Sequence, residues 1–324
     1  MMPDGRRGMK EQTLAKLRVP GQSGDRLALC EGDLRNGKLS GAGRNFNIVR
    51  GIPRLLADRY DRYTSSSFSR EWKELNAGDD VWGRPVKERM SELNFLEIPL
   101  DRLKGLDFLD VGCGNGLFAR EVAATFGANV IAVDISQGLE LGRTMSDDQM
   151  TVDFVQADVQ YPPFAEGSFD IIWCAGSIHH TPDPKRTFQR LAPLLRKGGR
   201  IFLWLYTPEE HRSLKTGIRN IVKEIVCRLP GTAQNMAVHA IAAFTLVKHF
   251  VTVKVLRQKL HVPLVLKFRH HRMMARDAFT VRYDWHLTKE EVAGWHAPNG
   301  LKTIYSKYVQ ESDGLWLAAL GEKV

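Results

Sequence analysis

The sequence predicts an α/β fold: a doubly wound, mainly parallel sheet with helices on its faces. Three observations predict it. An apolar run, Phe108–Val111, passes directly into three glycines at alternate positions, Gly112, Gly114 and Gly116, and then into a helical pattern through Leu117, Phe118, Val122 and Ala123. Strand, tight turn and helix N-terminus in succession form a loop where a ligand can touch the backbone. Four more apolar runs follow, Val130–Val133, Thr151–Val155, Phe169–Trp173 and Arg200–Tyr206. Helical stretches separate most of them, as in a parallel α/β sheet. Two last strand-like runs, Leu301–Tyr308 and Leu315–Leu320, close the chain.

In chain order, residues 1–25 read as a flexible, polar arm carrying Arg6, Arg7, Lys10, Lys16 and Arg18. Residues 26–60 read as a small module of short strands joined by Gly- and Asn-containing turns. Residues 61–206 hold the core, entered through a helix with Phe68 and Trp72 one turn apart on one face and a second helix from about Pro85 to Phe95. Residues 207–280 form a helical insertion. Ile218, Ile221, Val222, Ile225 and Val226 recur at helical spacing, as do Met236, Ala240, Ile241, Phe244, Val247, Lys248 and Val251, with Pro230-Gly231 between the two sets. Residues 281–324 return to the core. Thr288 and Glu291 make a capping box for a helix through Val292 and Trp295 that stops near Gly300.

The 324 residues are 43% hydrophobic and 26% charged, enough for a sizeable core. Cys30, Cys113, Cys174 and Cys227 are scattered, with no pair at metal-ligand spacing, which argues against a disulfide scaffold. The first residues lack the apolar stretch of a secretory signal, and no run reaches the length of a membrane span, so a cytoplasmic enzyme is expected. The net charge of +9 gathers partly between His211 and Arg282, which suits nucleic acid, a membrane surface or an acidic substrate as well as a solvated face.

The glycine spacing, G-x-G-x-G, is neither the dinucleotide fingerprint nor a phosphate loop. The turn has no Lys or Arg to hold phosphate, and Asp110 beside it would repel phosphate and suit a cation. S-adenosylmethionine (SAM), with its ammonium and sulfonium, is such a ligand. Asp134, at the end of the second run, is placed to accept ribose hydroxyls. With Leu-Asp-Val-Gly-Cys-Gly-Asn-Gly, Ala-Val-Asp, Ala-Asp-Val, Phe-Asp-Ile-Ile and Leu-Arg-Lys-Gly-Gly in this order, the chain resembles the class I SAM-dependent methyltransferases, most of all the small-molecule branch that includes quinone-biosynthesis enzymes. The resemblance is strong over about residues 100–206 and moderate from Asp284 onward. It implies a seven-stranded Rossmann-like methyltransferase sheet whose final hairpin is reversed. It also implies a cofactor held by Asp110, Gly112, Gly114, Asn115, Gly116, Asp134, Ile135, Asp158, Val159 and Cys174. Asp134 would take the ribose and Asp158 the adenine amino group.

The close of the N-terminal module, Gly51-Ile-Pro-Arg-Leu-Leu56, resembles the end of a zinc ribbon fused to many bacterial methyltransferases. That ribbon has two Cys pairs; here only Cys30 stands, so no zinc is expected. Ser65–Trp72 resembles a Ser-Phe-x-x-Glu-Trp segment of related enzymes, whose N-terminal helices often lie over the cofactor cleft.

Methyl transfer is an in-line displacement that requires a positioned nucleophile and, where needed, a base. His179 and His180, in the turn after the fourth run, are the catalytic candidates, since His can act as a base near neutral pH. Asp284 and His286 are the alternatives. The post-strand segment Cys174-Ala-Gly-Ser177 is not the Asn/Asp-Pro-Pro-Tyr/Phe loop of amino methyltransferases, and no Cys has the context of a cytosine-5 nucleophile. The expected acceptor is a small or lipid-like molecule methylated on oxygen or carbon, with the insertion as its lid and Phe244 on the inner face. RNA methylation and a catalytically silent SAM-binding protein are the alternatives, and peripheral membrane contact is compatible with the basic insertion.

Overall fold

The computed structural model describes residues 8–75, 80–81, 84–146, 152–208, 214–254, 268–311 and 314–324. In chain order its elements are α1 (Glu11–Lys16), β1 (Arg18–Val19), β2 (Gln22–Arg26), β3 (Ala28–Gly32), β4 (Gly37–Gly41), β5 (Arg44–Val49), β6 (Ile52–Leu55), α2 (Arg62–Leu75), β7 (Asp80–Val81), β8 (Arg84–Pro85), β9 (Asp107–Val111), α3 (Leu117–Phe126), β10 (Asn129–Asp134), α4 (Glu140–Met145), β11 (Val152–Ala157), β12 (Phe169–Ala175), α5 (Pro184–Leu191), β13 (Leu195–Tyr206), α6 (Leu214–Arg228), α7 (Gly231–Lys254), α8 (Phe268–Thr280), α9 (Lys289–His296), β14 (Leu301–Glu311) and β15 (Gly314–Lys323).

Among the described residues one large sheet runs β14-β15-β13-β12-β9-β10-β11-β6-β5-β4-β3. The five strands β11, β10, β9, β12 and β13 are mutually parallel, and β15 joins β13 antiparallel. Strand order reverses at β9, which lies between β10 and β12, so the crevice of an open α/β sheet falls there. Alternate residues of these strands enter opposite layers. Leu109, Val111, Ile131 and Val133 pack on one side with Phe188 of α5 and Trp295 of α9. Phe108, Val130, Ala132 and Trp173 pack on the other with Phe118 and Val122 of α3. Both faces are covered, which is why the central runs read as continuous apolar sequence.

Local signals explain the helix ends. Asp183 caps α5 by accepting from the Arg186 amide at 2.9 Å, with Pro184 in the first turn. Thr288 and Glu291 close their capping box reciprocally at 3.2 and 2.8 Å. α3 ends at Gly127 in the left-handed conformation.

Four expectations need correction. The sheet counts eleven strands where seven were expected, because the N-terminal meander extends it: β6 pairs in parallel with β11, Arg54 opposite Gln156 and Leu55 opposite Ala157. The fully buried Ile52 and Leu55 drive that pairing, and β5, β4 and β3 follow as antiparallel neighbours. Residues 8–25 are not a flexible arm. Leu17 and Val19 are fully buried, the Thr13 hydroxyl donates to Asp153 at 2.5 Å, and Lys16 pairs with Asp107 at 2.7 Å. Residues 1–7 lie outside the described residues. The stretch expected as a helix from Pro85 is a 3-10 segment, Glu88–Leu96, whose Leu93 and Leu96 are buried three apart, the period of that tighter helix. Finally, Phe244 does not sit on an inner face of the insertion: it is 71% exposed. α7 instead turns Gln234, Val238 and Ala242 inward, and Val238 and Ala242 pack on Ala275 of α8. No helix among the described residues is long and apolar enough to cross a membrane.

Candidate active site

The glycine turn is forced by its neighbours. Gly112, Gly114 and Gly116 all have positive φ, at 74°, 56° and 73°. A Cβ at Gly112 would meet the Ser177 Cβ at 2.2 Å, and one at Gly114 would meet the Trp72 ring at 2.2 Å. Only glycine meets both demands. The turn hangs on the sheet through the Gly112 and Cys113 amides, which donate to the Val133 carbonyl. The Gly114 amide donates to Asp134 at 2.8 Å, and the Ser136 amide to the other Asp134 oxygen at 2.7 Å.

Beyond the C-terminal ends of β9, β10, β11 and β12 opens a cleft. The sheet contributes Gly112, Asp134, Ile135, Asp158, Val159 and Gln160, then Ala175, Gly176 and Ser177. α2 covers it with Thr64, Phe68 and Trp72, preceded by Asp61. The Ser65 hydroxyl donates to the Ile135 carbonyl at 2.9 Å and the Gln137 amide to the Ser69 hydroxyl at 3.0 Å, which fix the helix over the opening. The turn after β12 closes the far side with His180, Thr181 and Pro182.

Two buried carboxylates, Asp134 and Asp158, line this cleft, and a third, Asp110, lies in β9 just before the glycine turn without lining it. Asp110, Asp134 and Asp158 are each buried. Burial raises the pKa of Asp110 to about 7; Arg89 opposes the rise and Asp134 adds to it. Its Oδ2 has no hydrogen-bond partner among the described residues. Burial also raises Asp134, against the hydrogen bonds from Ser136 and Gly114. Asp158 rises for the same reason and accepts from the Gln160 amide at 2.9 Å. Buried acids of one sign stabilise a cation that enters between them.

Of the residues singled out in the sequence, Gly112, Asp134, Ile135, Asp158, Val159 and His180 line the cleft. Asn115 does not; its side chain accepts from the Leu117 amide at 3.2 Å and starts α3. Cys174 is a buried filler, 3.0 Å from the Ser177 hydroxyl, with a thiol pushed up to about 12 by burial. Cys113 is likewise held protonated by burial.

The two histidines have different surroundings. His179 is fully buried outside the cleft, its ring 4.1 Å from Tyr206 and 4.2 Å from His180. Burial, with His180 beside it, holds it neutral, and neither ring nitrogen has a hydrogen-bond partner among the described residues. His180 faces the cleft next to Phe68. Its Nδ1 meets the Tyr283 carbonyl at 2.9 Å, and its Nε2 lies 3.7 Å from Asp277 Oδ1. The Tyr206 hydroxyl donates to Asp277 Oδ2 at 2.6 Å. Asp277 is raised by burial, against the influence of His180 and the Tyr206 hydrogen bond.

Asp277 and Tyr206 were not found in the sequence. Asp277 sits inside the insertion, 97 positions from His180, with no local motif to mark it. Asp284, one alternative base, accepts from Arg219 at 3.1 Å and lies 3.3 Å from Lys223. Burial pushes it up, but His286 and Lys223 outweigh this and hold it well below the usual carboxylate range. It is a fixed anion rather than a proton acceptor.

Residues 109–203, the stretch that builds this cleft, match the methyltransferase domain family. This part of the chain is thus similar to methyltransferase domains. The ubiquinone biosynthesis O-methyltransferase of Coxiella burnetii is 36% identical over 102 residues, 31% of this chain and 43% of that one. Methyltransferase GfsG of Streptomyces halstedii is 37% identical over 162 residues, 46% of this chain and 56% of that one. The chain thus spans about half the length of these curated relatives. The magnesium protoporphyrin IX methyltransferase of Synechocystis PCC 6803, solved with bound SAH, has a TM-score of 0.47 at 15% identity, over 81% of this chain and 97% of that one.

Proposed function

We propose that the protein is a SAM-dependent methyltransferase acting on oxygen of a small or lipid-like acceptor. One observation carries the reading: two buried carboxylates, Asp134 and Asp158, line the cleft with the glycine turn at the sheet's switch point, and the buried Asp110 just before the turn has one oxygen with no partner among the described residues. That arrangement fits SAM, which supplies an electrophilic methyl on a sulfonium, and disfavours phosphate ligands. Gly112 and Gly114 let the backbone approach the methionine part. Asp134 takes the ribose hydroxyls, Asp158 the adenine amino group, and Ile135 and Val159 the faces of the ring. Asp110 holds the cationic end.

The acceptor enters between α2 and the turn after β12. His180 lines the cleft with Nδ1 at the Tyr283 carbonyl and Nε2 turned to Asp277 Oδ1 at 3.7 Å; it takes the acceptor's hydroxyl proton when Nε2 turns from Asp277 to that hydroxyl. Asp277 and Tyr206 behind it keep the ring in place. The insertion acts as a lid. In support, α8 brings Asp277 beside His180, and α6 sends Arg219 and Lys223 to Asp284 near the same turn. The N-terminal meander is a ribbon that holds by packing instead of metal; its Cys30 thiol donates to the Lys38 carbonyl at 3.3 Å.

The test is transfer of labelled methyl from SAM to a panel of phenolic, quinol and lipid acceptors. Wild type should label at least one, and His180→Ala should lower kcat by roughly 10²-fold or more while SAM affinity changes little. Full activity in His180→Ala would remove the base assignment. SAM binding without labelling of any acceptor would favour a silent binding protein.

A further inference from the structure

The insertion exposes apolar surface that a water-soluble face does not require. On α6, Ile218, Ile221 and Ile225 all point to solvent, with Ile221 64% exposed. On α7, Met236, Phe244, Val247 and Val251 make a second exposed stripe. Their spacings of three, four and seven or eight residues put each set on one side of its helix. The opposite sides of both helices are in use: Val238 and Ala242 pack on α8, and Cys227 donates to the carbonyls of Phe279 and Val281. The outward stripes are therefore left over from folding, and contiguous exposed apolar surface marks an interaction site.

Charge indicates what covers them. Residues 207–280 hold 13 Lys and Arg against 4 Asp and Glu, which equals the chain's whole excess of +9. The rest of the chain balances at 33 against 33. No acidic residue occurs between Glu224 and Asp277. A symmetric second copy would bring two insertions of the same positive charge together, which costs free energy. An anionic bilayer surface matches both features, because it attracts the cations and takes the apolar stripe into the headgroup boundary. α7, at 24 residues and about 36 Å, lies in such an interface without spanning it.

We infer that α6 and α7 dock the protein on an anionic membrane surface through these stripes. The docking face is tied to the cleft. Arg70 of α2 donates to Gln234 of α7 at 3.1 Å, and the Tyr63 hydroxyl donates to the Thr280 carbonyl at 2.9 Å. Docking therefore holds the helix that covers the cleft close to the lipid. This surface does not depend on the methyl-transfer reading, and its test needs no acceptor.

The test is flotation of the full chain with phosphatidylcholine vesicles, with and without phosphatidylglycerol. The wild type should float with the anionic vesicles, less so at high salt, and stay behind with the neutral ones. A Phe244→Asp/Val247→Asp double variant should bind the anionic vesicles at least about tenfold more weakly. Its circular dichroism should match that of wild type, since both positions are exposed. Three results would overturn the proposal: no binding of wild type to anionic vesicles, undiminished binding by the double variant, or a stable wild-type dimer in light scattering that the double variant converts to monomer. The last would assign the stripes to a second copy of the chain.

Discussion

The switch-point core and the helical insertion use apolar residues in opposite ways. In β9, β10 and β11 every residue but Asn129 is buried, and the buried polar side chains there are four carboxylates and Gln156. In α6 and α7 the inner positions are small or mixed, Val226, Gln234, Val238 and Ala242, while the large apolar side chains face outward. The core spends its hydrophobicity on its own stability. The insertion keeps part of its hydrophobicity for a surface outside the molecule. Substitutions should therefore be costly to folding in the first region and nearly silent in the second.

The largest effect is expected at the turn. Gly112→Ala adds a Cβ at positive φ and drives it against Ser177. The backbone term is about 1–2 kcal/mol and the overlap adds about 1–3 kcal/mol. Thermal unfolding should fall by several degrees and SAM binding should collapse. Ile221→Ser, a larger chemical change, should stay within about 0.5 kcal/mol of wild type, because Ile221 is exposed. Equal destabilisation by the two would erase the contrast.

A smaller effect separates Asp110 from its neighbours. Burial puts its pKa at about 7 in the free protein. A cation favours the carboxylate and lowers that value on binding. SAM affinity should rise with pH through the range below about 7, by at most about tenfold per unit, and level off above it. Asp110→Asn should bind more weakly and with a flatter profile, measured by calorimetry at several pH values. The same shift fixes the sign for stability. The folded-state pKa lies above the unfolded one, so the contribution of Asp110 is fully present below about pH 4 and is lost as pH rises through about 7.

The smallest effect concerns Tyr206→Phe, which removes one hydrogen bond to a buried acid. It should cost about 1–3 kcal/mol and reduce turnover only through the placement of Asp277. Unfolding curves and kcat for this variant, compared with His180→Ala, show whether Tyr206 acts on the fold or on the reaction.

Much of the sheet could be read from local pattern. Phe108–Val111 and Val130–Val133 are buried on both faces and so appear as unbroken apolar runs, and the glycine turn is marked by residues that no other side chain can replace. Non-local pairing has no such mark. Nothing in Ile52–Leu55 distinguishes a ribbon strand from one that extends the sheet at β11, and Leu17 gives no sign that it forms an antiparallel bridge with Phe164. In α7 the helical period was legible but its inward face was not, because apolar residues lie on both sides. The pairing of Asp277 with His180 and Tyr206 depends on how the insertion returns to the sheet, which no short window of sequence contains.

The central claim is that the cleft at the β9–β10–β12 switch point binds SAM through its acids. Calorimetric titration of SAM into wild type and Asp134→Ala tests it directly. The charge-assisted bonds lost are worth about 1.5–3 kcal/mol each, so affinity should fall at least about tenfold while circular dichroism stays unchanged. Equal affinity in a folded Asp134→Ala variant, or no SAM binding by wild type, would contradict it.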